Sequence, residues 1–72
     1  MKWISLLGAT GSIGKSTLDI VRTWPDKYKI YSLVANKNFT EMERLVTEFS
    51  PEVVVMNDPI SAKELMKQIQ TQ

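Results

Sequence analysis

Three glycines at a spacing of three residues most constrain what this 72-residue chain can fold into. Residues 8–14 read Gly-Ala-Thr-Gly-Ser-Ile-Gly and lie between an apolar run and an amphipathic stretch. Gly8 permits a sharp turn out of a strand, Gly11 lets the backbone approach a ligand closely, and Gly14 lets a first helical turn pack against the strand. This spacing at a strand-to-helix turn is typical of a dinucleotide-binding loop.

The same loop supplies donors for phosphate oxygens. We expect free backbone N–H groups from Thr10 to Ile13, and the positive end of the helix dipole faces the same side. The hydroxyls of Thr10 and Ser12 add further donors. The candidate phosphate-binding residues are Gly8, Thr10, Gly11, Ser12 and Ile13.

The rest of the chain predicts an α/β fold in the order β-α-β-α-β-α. Strands are expected at residues 3–7, 28–34 and 53–56, and a helix at 13–23, with breaks at Trp24-Pro25 and Ser50-Pro51. Two Ser/Thr-x-x-Glu patterns, which begin at Thr40 and Ser61, predict capping boxes for the second and third helices. Right-handed crossovers then give a Rossmann-like half of a doubly wound parallel sheet, with strand order 3-2-1.

Apolar residues indicate which surfaces are buried. Residues 3–7 are predicted to form a strand that is buried on both faces. The second helix carries a core stripe, and so does the first, whose stripe consists of Ile13, Thr17, Leu18 and Val21. In the order 3-2-1 the first strand is an apolar edge, which natural proteins avoid, so we expect the chain to be part of a larger functional unit.

A second interpretation rests on overlapping residues. Residues 9–16 read Ala-x-x-x-x-Gly-Lys-Ser, which is a P-loop apart from Ala9 in place of the usual first glycine. Lys15 would then reach the β/γ-phosphates and Ser16 would bind Mg²⁺. The strand at 53–56 followed by Asn57-Asp58 resembles a Walker B strand with its acid one place late. A third interpretation is a Rossmann fragment with no ligand affinity.

The end of the second strand bears on which dinucleotide is bound. NAD-selective sites normally have an acid about 20 residues past the loop, on the ribose hydroxyls. Residues 35–38 read Ala-Asn-Lys-Asn and contain no acid. Lys37 would attract the additional 2′-phosphate of NADPH, and Asn36 or Asn38 could hydrogen-bond it. The sequence therefore favours NADPH over NADH.

Composition excludes several other classes of function. Nine basic and eight acidic side chains nearly cancel, which predicts neither nucleic acid nor an anionic membrane surface as partner. Cysteine and histidine are both absent, which removes disulfides and thiolate metal sites and suits a soluble, cytoplasmic location. The apolar run at the start is too short for a signal peptide or a membrane span.

Several segments together resemble the start of the 1-deoxy-D-xylulose 5-phosphate reductoisomerase family. These are residues 8–14, 16–19, 21–22, 33–35, 37–38 and 49–51, and the likeness runs across essentially the whole chain. The family has varied residues at the position of Lys15, which disfavours the P-loop. One departure is Asn36, where the family commonly has glycine.

The resemblance implies a function. The family converts 1-deoxy-D-xylulose 5-phosphate, a sugar phosphate, to 2-C-methyl-D-erythritol 4-phosphate in non-mevalonate isoprenoid biosynthesis. It is an NADPH-dependent oxidoreductase and isomerase, uses Mg²⁺ or Mn²⁺, and forms a homodimer. Its NADPH contacts carry over onto Thr10, Gly11, Ser12, Ile13, Lys37 and Asn38.

Family members are several times longer than this chain. Residues 1–72 therefore correspond to the N-terminal part of an NADPH-binding Rossmann domain, without the catalytic and C-terminal domains. We expect no catalytic residue and no metal ligand among these residues, and no reductoisomerase activity from this chain alone.

Overall fold

The computed structural model describes residues 1–70 and contains three strands that alternate with three helices. Gly, Pro and polar residues separate the apolar segments at each boundary, as the sequence pattern predicts. The elements are β1 Lys2–Leu7, α1 Ser12–Thr23, β2 Tyr28–Ala35, α2 Phe39–Phe49, β3 Val53–Met56 and α3 Pro59–Gln70.

The three strands form one parallel sheet in the order β1-β2-β3. This is the predicted order 3-2-1 counted from the opposite edge, so the Rossmann-like fold class is confirmed. Parallel neighbours need a crossover connection, and α1 and α2 supply the two crossovers. All three strands consequently end at the same edge of the sheet, where the β1–α1, β2–α2 and β3–α3 turns meet.

A bulge interrupts the pairing of β1 with β2. Ile4 pairs with Ile30, whereas Ser5 pairs with Ser32, so Tyr31 is an extra residue in β2. The extra residue shifts the alternation of inward and outward side chains along β2. The buried residues of β2 are Ile30, Ser32, Leu33 and Ala35.

One hydrophobic core lies between the sheet and the helices. Leu33 of β2 and Met42 of α2 are fully buried at its centre, and Leu18 of α1 is almost so. All three helices contribute to this single cluster, so they cover the same face of the sheet. The buried core residues are Leu6, Ala9, Leu18, Val21, Ile30, Leu33, Ala35, Met42, Leu45 and Leu65.

The opposite face of the sheet is open. Trp3 is 53 % exposed and Leu7 is 76 % exposed. The prediction that the first strand is buried on both faces is therefore wrong for this chain, because every helix among residues 1–70 packs on the other face. The ring of Trp3 meets Tyr31 in an edge-to-face contact on the open side, with 6.1 Å between the ring centres. The prediction that the first strand lies at an edge of the sheet is confirmed.

Both predicted capping boxes are wrong, because the helices begin earlier and are capped by preceding residues. The Asn38 side chain accepts from the Glu41 N–H at 3.1 Å and caps α2, which places Thr40 inside the helix. The Asp58 carboxylate accepts from the Ser61 N–H at 2.9 Å at the start of α3, so Ser61 is a donor to the cap. Each cap lies three residues before the amide that it binds, as capping geometry requires.

The predicted apolar stripe of α1 is correct at Leu18 and Val21, which are buried, but wrong at Ile13, which is 83 % exposed. Ile13 is the second residue of the helix, so it projects from the first turn rather than onto the sheet. Because α1 begins directly after the turn that follows β1, the backbone N–H of Ile13 lies near the carboxyl edge of the sheet. No helix among residues 1–70 is long and apolar enough to span a membrane.

Candidate dinucleotide-binding site

The turn between β1 and α1 contains only residues 8–11. Gly8 has φ +69°, in the left-handed region that residues with a Cβ seldom adopt. Its carbonyl accepts from the Gly11 N–H at 3.0 Å, which closes the turn. The predicted role of Gly8, a sharp exit from the strand, is confirmed.

Gly14 lets the helix pack closely on this turn. A Cβ on Gly14 would lie 2.5 Å from the carbonyl oxygen of Gly8 and 2.6 Å from that of Ala9. Both are backbone atoms that cannot rotate away, so no larger residue fits without moving the turn. The predicted role of Gly14 in close packing is confirmed.

Gly11 differs from the other two glycines because the fold itself does not require it. Its backbone is extended, with φ −85° and ψ 179°, which any residue can adopt. A Cβ there would meet only the Gly8 carbonyl oxygen, at 3.4 Å, which is an ordinary contact. The predicted role of Gly11, which is to let the backbone approach a ligand closely, stays a prediction.

The amides at the start of α1 form a group of unused donors. Within residues 1–70, no hydrogen bond engages the N–H groups of Thr10, Ser12, Ile13 and Gly14. The expectation that all amides from Thr10 to Ile13 are free is wrong at Gly11, whose N–H closes the turn, while Gly14 contributes one that was not expected. These N–H groups and the helix dipole favour an anion at this point.

The structure does not support the P-loop interpretation. Lys15 is the fourth residue of α1 rather than its first, and its charge lies near Glu41 of α2, where it helps to lower the pKa of that carboxyl after the larger effect of the Arg44 hydrogen bond. The Ser16 hydroxyl donates to the Ser12 carbonyl at 3.3 Å within the helix. Neither side chain is directed to a phosphate and a metal at the helix start, as a P-loop requires.

The second predicted group of site residues follows β2. Lys37 is exposed, and no carboxylate lies within 4 Å of its ammonium among residues 1–70. The Asn38 carbonyl oxygen Oδ1 is used by the cap of α2, which leaves its NH₂ group available to a ligand. The helix cap therefore fixes the orientation of this side chain.

Asn36 occupies its position without backbone strain. Among residues 1–70, Ser50 at the end of α2 is the non-glycine residue with a positive φ, and Asn36 is not one. Glycine is consequently not needed for the angles of this loop in this chain. The backbone next to Lys37 therefore accommodates Asn36 in place of the glycine that is common in the family.

The fold brings the two loops together. Leu7 pairs with Val34 at the end of the β1–β2 ladder, and the Ala9 N–H donates to the Val34 carbonyl at 3.0 Å. The glycine turn at residues 8–11 and the loop with Lys37 are thus direct neighbours at the carboxyl edge of the sheet. Ligands of open α/β sheets bind at this edge.

A third turn adjoins these two loops, although the sequence connects it only with the Walker B strand of the P-loop interpretation and not with the dinucleotide site. The Asn57 N–H donates to the Ala35 carbonyl at 2.9 Å, and the Asp58 N–H donates to the Asn36 carbonyl at 3.1 Å. The β3–α3 turn therefore supports the β2–α2 loop. The signal that could have revealed it is Asp58-Pro59, an N-cap followed by proline at the first helical position.

Asp58 is held in its charged form. Its Oδ2 accepts from both the N–H and the hydroxyl of Ser61, at 2.9 and 2.8 Å. These hydrogen bonds lower the pKa of the Asp58 carboxyl, and the positive charge of Lys37 lowers it slightly further. Within residues 1–70, no three Asp or Glu side chains lie close enough together to hold a metal ion.

A parallel α/β sheet with a glycine turn that exposes amides at a helix N-terminus defines a Rossmann-type nucleotide-binding unit. The sequence profile of the 1-deoxy-D-xylulose 5-phosphate reductoisomerase family matches residues 4–72. The chain belongs to this family. The resemblance that the sequence motifs indicate is thereby confirmed.

Individual relatives agree with this assignment. The chain is 51 % identical over 65 residues to the 1-deoxy-D-xylulose 5-phosphate reductoisomerase of Photorhabdus laumondii subsp. laumondii, which covers 90 % of the chain and 16 % of that protein. It is 49 % identical over 71 residues to the reductoisomerase of Vesicomyosocius okutanii, which covers 99 % of the chain and 18 % of that protein. The chain thus spans less than a fifth of the length of the curated relatives it matches.

Solved structures of such enzymes have the same fold. A crystal structure of DOX-P reductoisomerase with magnesium superimposes with a TM-score of 0.93 at 32 % identity, over 99 % of this chain and 18 % of that one. A second one, in complex with NADPH, fosmidomycin and magnesium, gives a TM-score of 0.92 at 32 % identity, over 99 % of this chain and 17 % of that one.

Proposed function

We propose that residues 1–72 form the N-terminal part of an NADPH-binding domain and bind the phosphates and the adenosine end of that cofactor. The observation that carries the proposal is the group of unused amides at Thr10, Ser12, Ile13 and Gly14. A pyrophosphate accepts hydrogen bonds from several such donors, and Gly11 adds no side chain next to them. The NADPH complex of a similar reductoisomerase supports the same identity for the ligand.

Within this site each loop has its own task. The amides and the hydroxyls of Thr10 and Ser12 would hold the pyrophosphate. Lys37 would neutralise the 2′-phosphate, and the NH₂ group of Asn38 would donate a hydrogen bond to it. The bound cofactor supplies hydride for reduction, while these residues only bind and orient it.

We further propose that the complete protein converts 1-deoxy-D-xylulose 5-phosphate to 2-C-methyl-D-erythritol 4-phosphate with a divalent cation, as a cytoplasmic homodimer. Family membership supports this proposal. The carboxylates that hold the cation and the groups that hold the substrate phosphate would then come from outside these residues. We expect the 72-residue chain alone, mixed with substrate, NADPH and Mg²⁺, to give no NADPH oxidation in a spectrophotometric assay, and turnover would contradict this.

Titration of the chain with NADPH, NADH and Mg-ATP tests the cofactor assignment. NADPH should bind most tightly. A preference for Mg-ATP would instead support the P-loop interpretation, and no binding of any of the three would support a fragment without ligand affinity. Lys37→Glu should weaken NADPH binding about tenfold to hundredfold, since a hydrogen bond to a charged group contributes roughly 1.5–3 kcal/mol. NADH binding should change little.

Lys27→Glu is the matched control, because it makes the same change in net charge on an exposed residue in the turn before β2, at the opposite edge of the sheet. It should affect NADPH binding much less than Lys37→Glu does. Equal losses of NADPH and NADH affinity in Lys37→Glu would remove Lys37 from contact with the 2′-phosphate.

A further inference from the structure

The β3–α3 turn places a carboxylate beside the loop that carries Lys37. The backbone N–H of Asp58 donates to the carbonyl of Asn36 at 3.1 Å, and that of Asn57 donates to Ala35 at 2.9 Å. Because these are backbone bonds, the position of residue 58 relative to residue 37 depends on the fold rather than on an exposed side chain.

The Asp58 side chain is also fixed. Both hydrogen bonds from Ser61 end on Oδ2, and within residues 1–70 no hydrogen bond engages Oδ1. Ser61 is buried, so the carboxylate is anchored on the first turn of α3 rather than free to swing away. The negative charge of the Asp58 carboxylate therefore has a fixed position at the carboxyl edge of the sheet.

Asp58 and Lys37 lie near each other without forming an ion pair. No ion pair within 4 Å joins them, yet the two groups are close enough to interact electrostatically. Lys37 thus remains available to a ligand. Any phosphate that it binds also enters the field of Asp58, and two negative charges repel each other.

We propose that Asp58 is a specificity-determining residue that limits how strongly the site prefers a 2′-phosphorylated adenosine to an unphosphorylated one. Lys37 attracts the 2′-phosphate and Asp58 repels it, so the preference reflects the difference between the two effects. A ribose with a free 2′-hydroxyl carries no charge there, so Asp58 does not repel it. This inference rests on the proposed function, in which Lys37 faces the 2′-phosphate.

Asp58→Asn isolates the charge. Asparagine caps helices about as well as aspartate, so α3 keeps its cap, and the backbone bond to Asn36 does not involve the side chain. Asp26→Asn is the matched control, because Asp26 is exposed in the turn before β2, at the opposite edge of the sheet, and loses the same charge.

The probes are adenosine 2′,5′-bisphosphate and adenosine 5′-monophosphate, which differ only in the 2′-phosphate. Each is titrated into the 72-residue chain and followed by NMR chemical shifts. We expect Asp58→Asn to bind the bisphosphate about two- to fivefold more tightly, as a charge pair separated by water and screened over about 8–10 Å allows. Affinity for the monophosphate should be unchanged, and the gain should disappear at ~1 M salt.

The Asp26→Asn control should leave both affinities unchanged. Unchanged or weaker bisphosphate binding by Asp58→Asn overturns the inference, as does an equal change for both probes or an equal gain in the control. If Asp58 had a merely structural role, Asp58→Asn would weaken the binding of both probes, and this loss would not depend on the salt concentration.

The result for the unsubstituted chain separates this inference from the proposed function. If that chain binds the two probes equally, or binds neither, the proposed role of Lys37 fails and Asp58 fails with it. A different outcome refutes only the role of Asp58. In that outcome the unsubstituted chain prefers the bisphosphate, Lys37→Glu abolishes this preference, and Asp58→Asn leaves it unaltered.

Discussion

Gly14→Ala is the substitution whose consequence follows most directly from the structure. The new Cβ would lie 2.5 Å from the Gly8 carbonyl oxygen, 2.6 Å from the Ala9 carbonyl oxygen and 2.8 Å from the Ala9 carbonyl carbon. All three are backbone atoms of a turn that is closed by its own hydrogen bond. To admit the methyl group, the first turn of α1 has to move away from the end of β1.

Two opposing effects set the magnitude. Alanine is favoured over glycine within a helix by about 1 kcal/mol. Overpacking costs roughly 1–3 kcal/mol and occasionally more, and contact with three rigid atoms places Gly14 at the upper end. We therefore expect a net loss of about 2 kcal/mol, which corresponds to a fall in Tm of roughly 8–16 °C for a domain of this size.

Urea unfolding followed by tryptophan fluorescence measures this loss, with Gly11→Ala as the matched control. The control adds the same methyl group three residues away, where the backbone is extended and the nearest contact is 3.4 Å. Gly11→Ala should change the free energy of unfolding by less than about 0.5 kcal/mol while weakening NADPH binding. If Gly14→Ala proves as stable as the unsubstituted chain, close packing of α1 on the turn is not what requires glycine.

Two further predictions concern the ion pair between α1 and α2 and the exposed edge strand β1. Glu48 accepts two hydrogen bonds from Arg22, which lower its pKa, so its contribution is present above the unfolded-state pKa of about 4.3 and is lost as the pH falls through the lower folded-state value. Both side chains are more than a third exposed, so Glu48→Gln should cost under about 1 kcal/mol at pH 7 and less at pH 3 in urea unfolding, and equal costs at both would contradict this. Leu7→Lys should reduce concentration-dependent self-association in analytical ultracentrifugation, because a lysine protects an apolar strand edge and Leu7 is 76 % exposed. A monomeric unsubstituted chain at high concentration would refute that expectation.

The order and nature of the elements could be predicted because local patterns decide them. The short apolar runs, the breaks at Pro25 and Pro51 and the helical stripes each require only neighbouring residues to be interpreted. The predicted strand at residues 53–56 has the observed bounds, and the other predicted strands differ by one residue at one end. Parallel order then follows from the alternation of strands and helices.

Burial and helix caps were less predictable because they depend on competition. The Thr40 and Ser61 patterns are genuine capping signals, yet Asn38 and Asp58 occur earlier in the chain and cap the helices. Burial of the first strand on both faces would need helices on each side of the sheet. Residues 1–70 place all of their helices on one side, a fact of packing that an apolar run does not encode.

In the candidate site, too, features that depend on neighbouring residues could be predicted and features that depend on packing could not. The glycine turn is local, so the roles of Gly8 and Gly14 could be derived from spacing, and the geometry confirms both. The engagement of the Gly11 N–H could not, because it depends on how tightly the turn closes. The proposed roles of Lys37 and Asn38 rest on residue type and position, and the titrations above test them.

Asp58 shows what local patterns miss. Its sequence context, an acid after an apolar strand, suggested only a distant likeness to a Walker B strand, because nothing in the chain order indicates that residue 58 is bonded to residue 36. Parallel topology creates that contact by ending β2 and β3 at one edge of the sheet. In such a sheet each turn has the electrostatic environment of its neighbours, so cofactor preference need not be set by the residue at the end of β2 alone. If the charge of Asp58 alters the response to a 2′-phosphate, sequence interpretation of Rossmann sites should include the acid or base after the adjacent strand.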